Sequence, residues 1–569
     1  MQFLHATVLA CVLASLAVLP ATAQETALDA ANALPNTGLP LDDAVVSQIY
    51  SAQDLQVMDH LAELVDGIGP RLTSSDNLTE ACHWAADKFE QWGLENVRME
   101  EWGTFPVGFN RRVMSGRMTS PSKKKLVFTT NSWSAGTDGP TRGAVKLAPT
   151  AEQFEALSGS FKDCWVLSST RPRFDSDGES TGAKLGRYLD KEGILGVIYP
   201  GRGELVHTGG RSKIDYDNLP TRVSVQLLRS QWTNIHQMLQ DGSAVEAEFD
   251  LDYEFVPGPI PLYNVIAEIP GESDELVIIG GHIDSWDGAR GAQDNGTGTC
   301  TTMEAARLLS SMNVKPKRTI RFMLWSGEEQ GLLGSRAYIK QHPEELDRIS
   351  CVLVHDGGTN ACAGIYATPA MMDMFEEIFA PIIAYTKDLE DEDLRFKLRS
   401  VQSLPKGIGS DHDSYLSTEN PAPGFFWDQR GKTSYGYIHH TQNDTYDEAN
   451  ATYQEYTSRV VAAAAWRFAN ASTMVPRDGM LGPKPKRLGV FLADDGVTVN
   501  EVRPDGLAVK AGMKKGDRIV SIGEASIKGR NDLRRAMRDA KDKVNITIAR
   551  GAEQLVFWFD FKNSDAGGK

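Results

Sequence analysis

Apolar positions recur at helical spacing in two stretches near the front of the chain, around Leu55–Val65 and Ala81–Trp92. The first runs into Gly67-Ile68-Gly69-Pro70 and the second into Gly93, both stop signals for a helix. From about Leu126 to Phe255 the texture changes. Short apolar runs such as Trp165–Leu167 and Gly196–Tyr199 alternate with Gly-, Ser- and Asp-rich turns, with one helical stretch, Ala183–Lys191, between them. This predicts a small β/α module, closed by the breaker cluster Pro257-Gly258-Pro259-Ile260-Pro261. Residues 262–475 then alternate two patterns. Leu276–Ile279, Ile320–Leu324, Val352–Val354 and Gly424–Trp427 are apolar enough for buried strands, while Thr301–Ser311, Arg336–Arg348, Met371–Tyr385 and Tyr453–Ala469 have helical spacing. Such alternation predicts an α/β fold, a mostly parallel mixed sheet sandwiched by helices. Thr473–Lys486 holds three prolines and two glycines and reads as a linker, followed by a compact β-rich unit over 487–563.

Polar clusters close several of these apolar runs: GGHIDSWDGARGAQDNG, LWSGEEQG, LVHDGG and YIHHTQNDT. They supply His282, Asp294, Glu329, Asp356 and a histidine at 439 or 440, either of which serves on chemistry alone. In an open α/β sheet, ligands bind beyond the carboxyl ends of the strands. Two imidazoles and three carboxylates can hold two zinc ions about 3.5–4 Å apart, which activate a shared water and polarise a carbonyl. Asp284, two residues after His282, is placed to take the second imidazole N–H and fix its tautomer. Glu328 and Glu329 are adjacent, so on extended backbone one can bind metal while the other faces substrate as a base. Alone, a loop histidine or a Glu-Glu pair is ordinary solvated surface. Their coincidence at strand ends of one domain points to a hydrolase.

At 569 residues the chain exceeds one hydrophobic core, and three or four domains are expected. Its net charge is −17 and no Lys/Arg-rich run stands out, which excludes nucleic acid as a partner. Val8–Leu19 is apolar and Ala21-Thr22-Ala23 forms a small-residue cleavage site, so residues 1–23 read as a signal peptide for secretion or the periplasm. Cys11 sits in a loose lipoprotein-like box, but the apolar run continues past it to the better cleavage site, which argues against lipidation. No other stretch reaches 18 apolar residues, so no membrane span is expected. Residues 24–44 are small, polar and Pro-containing, a flexible leader. The five remaining cysteines are too sparse for a disulfide scaffold. Cys351 and Cys362 either pair or stay buried thiols. Asn295 and Asn443 lie in glycosylation sequons inside the candidate metal loops, where a glycan would block the site, as suits a bacterial cell envelope without such glycans.

The four segments, together with Ile68-Gly69-Pro70-Arg71-Leu72-Thr73 and Trp92-Gly93-Leu94-Glu95-Asn96-Val97, resemble the co-catalytic di-zinc exopeptidases related to carboxypeptidase Q and the bacterial zinc aminopeptidases. The resemblance covers roughly residues 45–475. It implies a zinc exopeptidase fold over 45–125 and 256–472, a protease-associated insert domain over 126–255 that covers or shapes the substrate entrance, a 473–486 linker, and a PDZ domain over 487–563. It implies two zinc ions, with Asp294 bridging, His282 and Asp356 on one, Glu329 and His440 on the other, and Glu328 as general base. His440 is singled out because the family's ligand directly precedes the Thr/Ser of its His-Thr-x-x-Asp-Thr segment. Asn295 stands where the family often has Asp, which alters local charge. Ser410-Asp411-His412 is similar to a family segment near the pocket and is a candidate substrate contact. In the PDZ unit, Leu488-Gly489-Val490 would form the carboxylate loop and Asn531–Ala540 the flanking helix, for the C-terminus of a peptide. The implied activity is hydrolysis of dipeptides or short peptides, the alternative being an aminopeptidase. A metal-free receptor on the same fold is disfavoured because all five ligands and Glu328 are present. A homodimer is a further implication of the resemblance.

Overall fold

The computed structural model describes residues 40–174, 177–482 and 486–561. They divide into two compact units that meet at Met480 and Leu481. The expected signal peptide lies outside the described residues, as does most of the expected leader. The leader's last residues are helical instead: Leu41–Ser51 is a helix that buries Ala44, Val45, Val46 and Ile49. Among the described residues no helix is long and apolar enough to cross a membrane.

In the first unit six strands and five helices place the candidate site. The strands are β1 (Glu95–Ser120), β2 (Glu246–Ile269), β3 (Ser273–His282), β4 (Arg318–Trp325), β5 (Ile349–Val354) and β6 (Gly424–Phe426). The helices are α1 (Asp76–Gln91), α2 (Thr297–Ser310), α3 (Leu333–Gln341), α4 (Met372–Thr386) and α5 (Ala451–Asn470). Strands β4, β3, β5 and β6 run parallel, with Phe322 and Leu353 both opposite Ile279, and Val352 opposite Gly424. Every residue of β4 and β5 is buried, as a sheet covered on both faces requires. One face packs Ile278, Met323, Trp325 and Val354 against Tyr338 of α3 and Tyr415. The other meets α2 and α5. Helix α3 ends at Gln341 rather than at 348: Pro343 follows, disfavours helical backbone at His342 and opens a separate 3-10 turn, Pro343–Glu345.

The residues of the proline cluster at 257–261 do not interrupt the chain's regular structure. They lie inside β2, which pairs antiparallel with β1 from Glu95↔Glu268 out to Ser120↔Glu246. The inner end of this ribbon joins β4 through Ala267↔Phe322. Its outer end joins Thr141–Leu147 through Glu246↔Ala144. From there the sheet continues in parallel through Cys164–Leu167, Gly196–Pro200 and Ser224–Leu227 to a final antiparallel edge, Phe128–Thr129. The outer module has its own core around Trp165, Ile198, Val225, Leu227 and Phe249. Sequence periodicity gave its short strands but not the long ribbon, where apolar and polar residues follow no single phase.

A charge in the middle of β4 is matched from two directions. Arg321 is buried among apolar neighbours and bonds Glu268 on β2 (2.6 Å), Glu345 (2.7 Å) and the Tyr338 hydroxyl. Burial works against the guanidinium charge, but these partners raise its pKa. Arg321→Ala leaves two buried carboxylates without their cation, and is expected to destabilise the first unit by about 3–5 kcal/mol. A urea titration followed by tryptophan fluorescence measures it.

The second unit orders four strands as Ala525–Ser526, Arg518–Ile522, Lys543–Arg550 and Glu553–Asp560, all antiparallel. A separate pair joins Val490–Leu492 to Val499–Val502. Helix Arg530–Asp539 contributes Leu533 and Ala536 to a core with Ile519, Ile546 and Ile548.

Candidate metal centre

The parallel strands β3, β4 and β5 deliver their polar clusters to one rim. His282 is the last residue of β3, Glu328 and Glu329 follow β4, and Asp356 follows β5. Asp294 lies in the turn Ala292–Gly296 that leads into α2, and His440 follows the short helix Tyr435–Ile438. All five sequence-derived ligand candidates meet there. Asp294 is central: Oδ1 lies 3.2 Å from His282 Nε2, and Oδ2 lies 3.2 Å from His440 Nε2. Each imidazole has a second carboxylate, Asp356 Oδ1 at 3.3 Å from His282 and Glu329 Oε2 at 2.9 Å from His440. His439 stacks on His440 with ring centroids 3.8 Å apart and comes within 3.6 Å of Asp294, without reaching Glu329 in the same way. Ligand atoms of His282, Asp294 and Asp356, and those of Asp294, His439 and His440, form two groups each within 4.8 Å.

The loops are held by Asp284, which the sequence offered, and by groups that the periodicity did not reveal. Asp284 faces His282 Nδ1 through its backbone carbonyl (3.0 Å), while its carboxylate accepts the N–H groups of Glu328 (3.2 Å) and Glu329 (3.3 Å) and the Thr73 hydroxyl (3.0 Å). One residue thus ties the β3 loop to the β4 loop. Arg71, wholly buried, donates to the carbonyls of Ile283 (2.7 Å) and Gly291 (2.6 Å), bracing the loop between His282 and Asp294. Gly291 sits at φ +65°, and a β-carbon there would meet Ser285 Cβ at 2.3 Å, so no other residue fits. Asp444 accepts the N–H of Gln293 (2.5 Å) and of Asp294 (3.4 Å). Asn295 turns inward, donating to the His355 carbonyl (2.8 Å) and accepting from Gly298 N (3.0 Å). An Asp there could not donate, and the buried amide is closed to a glycan.

Electrostatics mark the rim as short of positive charge. Burial pushes the Glu328 carboxyl well above its ordinary range, with Asp356 and Asp411 adding to the rise against His282. Burial and then Asp294 lift Glu329 to about 7. Burial disfavours charge on His440, yet hydrogen bonds to Asp294 and Glu329 raise it to about 10. Burial and Asp294 take Asp444 to about 8. Glu329 Oε1 has no hydrogen-bond partner among the described residues. Crowded, desolvated carboxylates with a spare oxygen, interleaved with imidazoles, match the N/O donor set of divalent zinc.

The rim opens into a cavity of about 670 Å³, lined among others by Asp294, Glu328, Glu329, Asp356, Tyr435 and His440. Ser410 lines it too, whereas Asp411 and His412 are wholly buried behind it. Of this trio only Ser410 reaches the cavity lining. Cys82, Cys164, Cys300, Cys351 and Cys362 are all buried free thiols, so Cys351 and Cys362 do not pair. In the second unit Leu488 is buried in the core and Gly489 has φ +77°. Val490 opens a strand paired on one side only among the described residues.

Residues 264–465 match the profile of Peptidase family M28, and residues 479–557 match that of the PDZ domain. Carboxypeptidase Q of Homo sapiens is 25% identical over 449 residues, covering 75% of this chain and 88% of that protein. Leupeptin-inactivating enzyme 1 of Streptomyces exfoliatus is 28% identical over 219 residues, 38% of this chain and 50% of that protein. Among solved structures, a Peptidase M28 precursor from Shewanella amazonensis SB2B is 27% identical with a TM-score of 0.53, covering 78% of this chain and 99% of that one.

Proposed function

We propose that the chain, a zinc metallopeptidase whose residues 264–465 match the profile of peptidase family M28, is an exported di-zinc exopeptidase cleaving dipeptides or short peptides. The observation that carries this reading is Asp294, whose two oxygens each face a different imidazole, 3.2 Å away in both cases. His282 with Asp356 would hold one zinc, His440 with Glu329 the other, and Asp294 would bridge them. Bound there, the ions would lower the pKa of water toward about 7 and polarise the scissile carbonyl. The Glu328 carboxylate, lining the cavity beside this set, takes a proton from the attacking water and returns it to the leaving amine. Its backbone N–H is fixed on Asp284 (3.2 Å), which orients it without using the carboxylate. Asp444 and Arg71 hold the loops and keep Asp294 between the imidazoles.

The relation to carboxypeptidase Q along most of both chains favours dipeptidase action over aminopeptidase action. Free dipeptides should turn over faster than aminoacyl anilides, and an N-blocked dipeptide separates the two reactions. Preference for aminoacyl anilides, with no release of free amino acids from dipeptides, would establish the aminopeptidase instead.

A further inference from the structure

Residues Glu204–Thr208 belong to the outer module, yet they bond directly to the loop that carries His440. Thr208 N donates to the His440 carbonyl at 2.9 Å. His207 and Thr441 form an antiparallel bridge. The Gln442 amide is held at both ends, its Oε1 accepting from Val206 N (2.9 Å) and its Nε2 donating to the Glu204 carbonyl (3.1 Å). His440 needs such support, because its backbone has φ +53°, a left-handed conformation that a β-carbon disfavours. The module also touches the loop after β3. Trp286 lies edge-on to His440 on one side and edge-on to Trp133 of the module on the other, with centroids 6.2 Å apart in both cases. Ser132 and Arg111 both bond the Asp287 carboxylate.

We propose that the outer module is a working part of the metal centre: its 204–208 segment, clasped by Gln442, positions the His440 imidazole and thereby sets the affinity for one of two ions. This rests on the reading of His440 as a ligand. Gln442 does not line the cavity, so it is a positioning residue, acting on the metal through the loop. The module is more than a cover over the entrance, since the loop's conformation is completed by its backbone.

The test titrates zinc into metal-stripped full-length wild type, Gln442→Ala, Gln442→Glu and His440→Ala, and follows amide exchange at Thr208 and Thr441. Gln442→Ala is expected to bind one ion as wild type does and the other about 10–100-fold more weakly. Its turnover should fall at limiting zinc and return at saturating zinc, with faster exchange at Thr208. Gln442→Glu keeps the acceptor for Val206 N and loses the donor to Glu204, so an intermediate loss is expected; it decides the matter if Gln442→Ala does not fold. The proposal is overturned if His440→Ala loses one ion while both Gln442 variants bind two ions normally. It is equally overturned if both affinities fall together with the melting temperature, since that marks general destabilisation. Retention of two ions by His440→Ala would instead defeat the ligand assignment itself.

Discussion

Glu328→Gln is expected to keep its full metal content and lose about 10²–10⁴-fold in kcat. The substitution preserves shape and replaces a carboxylate that can take a proton with an amide that cannot. Glu328 approaches neither imidazole as Asp294, Asp356 and Glu329 do, and its backbone is anchored by Asp284, so the loop should stay in place. Metal analysis, the affinity of a non-hydrolysable substrate analogue and steady-state rates separate the outcomes. A variant with near-normal kcat would remove Glu328 from the proton path. Loss of metal along with rate would make it a ligand instead.

Asp294→Ala should be more damaging, because one carboxylate serves both halves of the site. Removing Asp356 or Glu329 strips an oxygen from one imidazole's group, whereas removing Asp294 strips one from each. Metal content is expected to fall below one ion per chain, with activity falling below detection. The stripped protein should still fold, since the loss of contacts with His282 and His440 is offset by relief of the repulsion that Asp294 exerts on Glu329 and Asp444. Zinc at about 100 times its dissociation constant should stabilise wild type by about 2.7 kcal/mol for each ion bound, and this gain should vanish in the variant. Thermal melts with and without zinc provide the measurement. A variant that still gains stability from two ions would show that Asp294 bridges nothing.

The buried strands were legible because β3, β4 and β5 are covered on both faces and so read as apolar runs, each closed by a charge. The same charges announced the rim: His282, Glu328, Glu329 and Asp356 end runs where burial makes an ionisable group expensive. Asp294 and His440 lie in loops: the polar cluster after β3 offered Asp294, while the match to a family pattern gave it the bridging role and chose His440 over His439. Arg71, Asp444 and Gln442 were invisible as site residues. They act through backbone carbonyls and N–H groups, and nothing in periodicity or ligand spacing reports a partner that is chosen only when distant loops meet. Helix α3 was overextended because apolar spacing continues past Pro343. The ribbon was missed because its prolines, usually breakers, lie near a register shift between Phe105 and Val107 where ladder bonds are already irregular.

That ribbon has a mechanical consequence. A domain slipped into a surface loop hangs by two single tethers and can be excised or swung aside at little cost. Here the two crossings pair with each other from Glu95↔Glu268 to Ser120↔Glu246, broken only at local register shifts, like a riveted beam. The outer module is thus cantilevered from the catalytic sheet, and any motion of it must travel as bending or torsion of that beam, felt at β4 and at the carboxylates beyond its end.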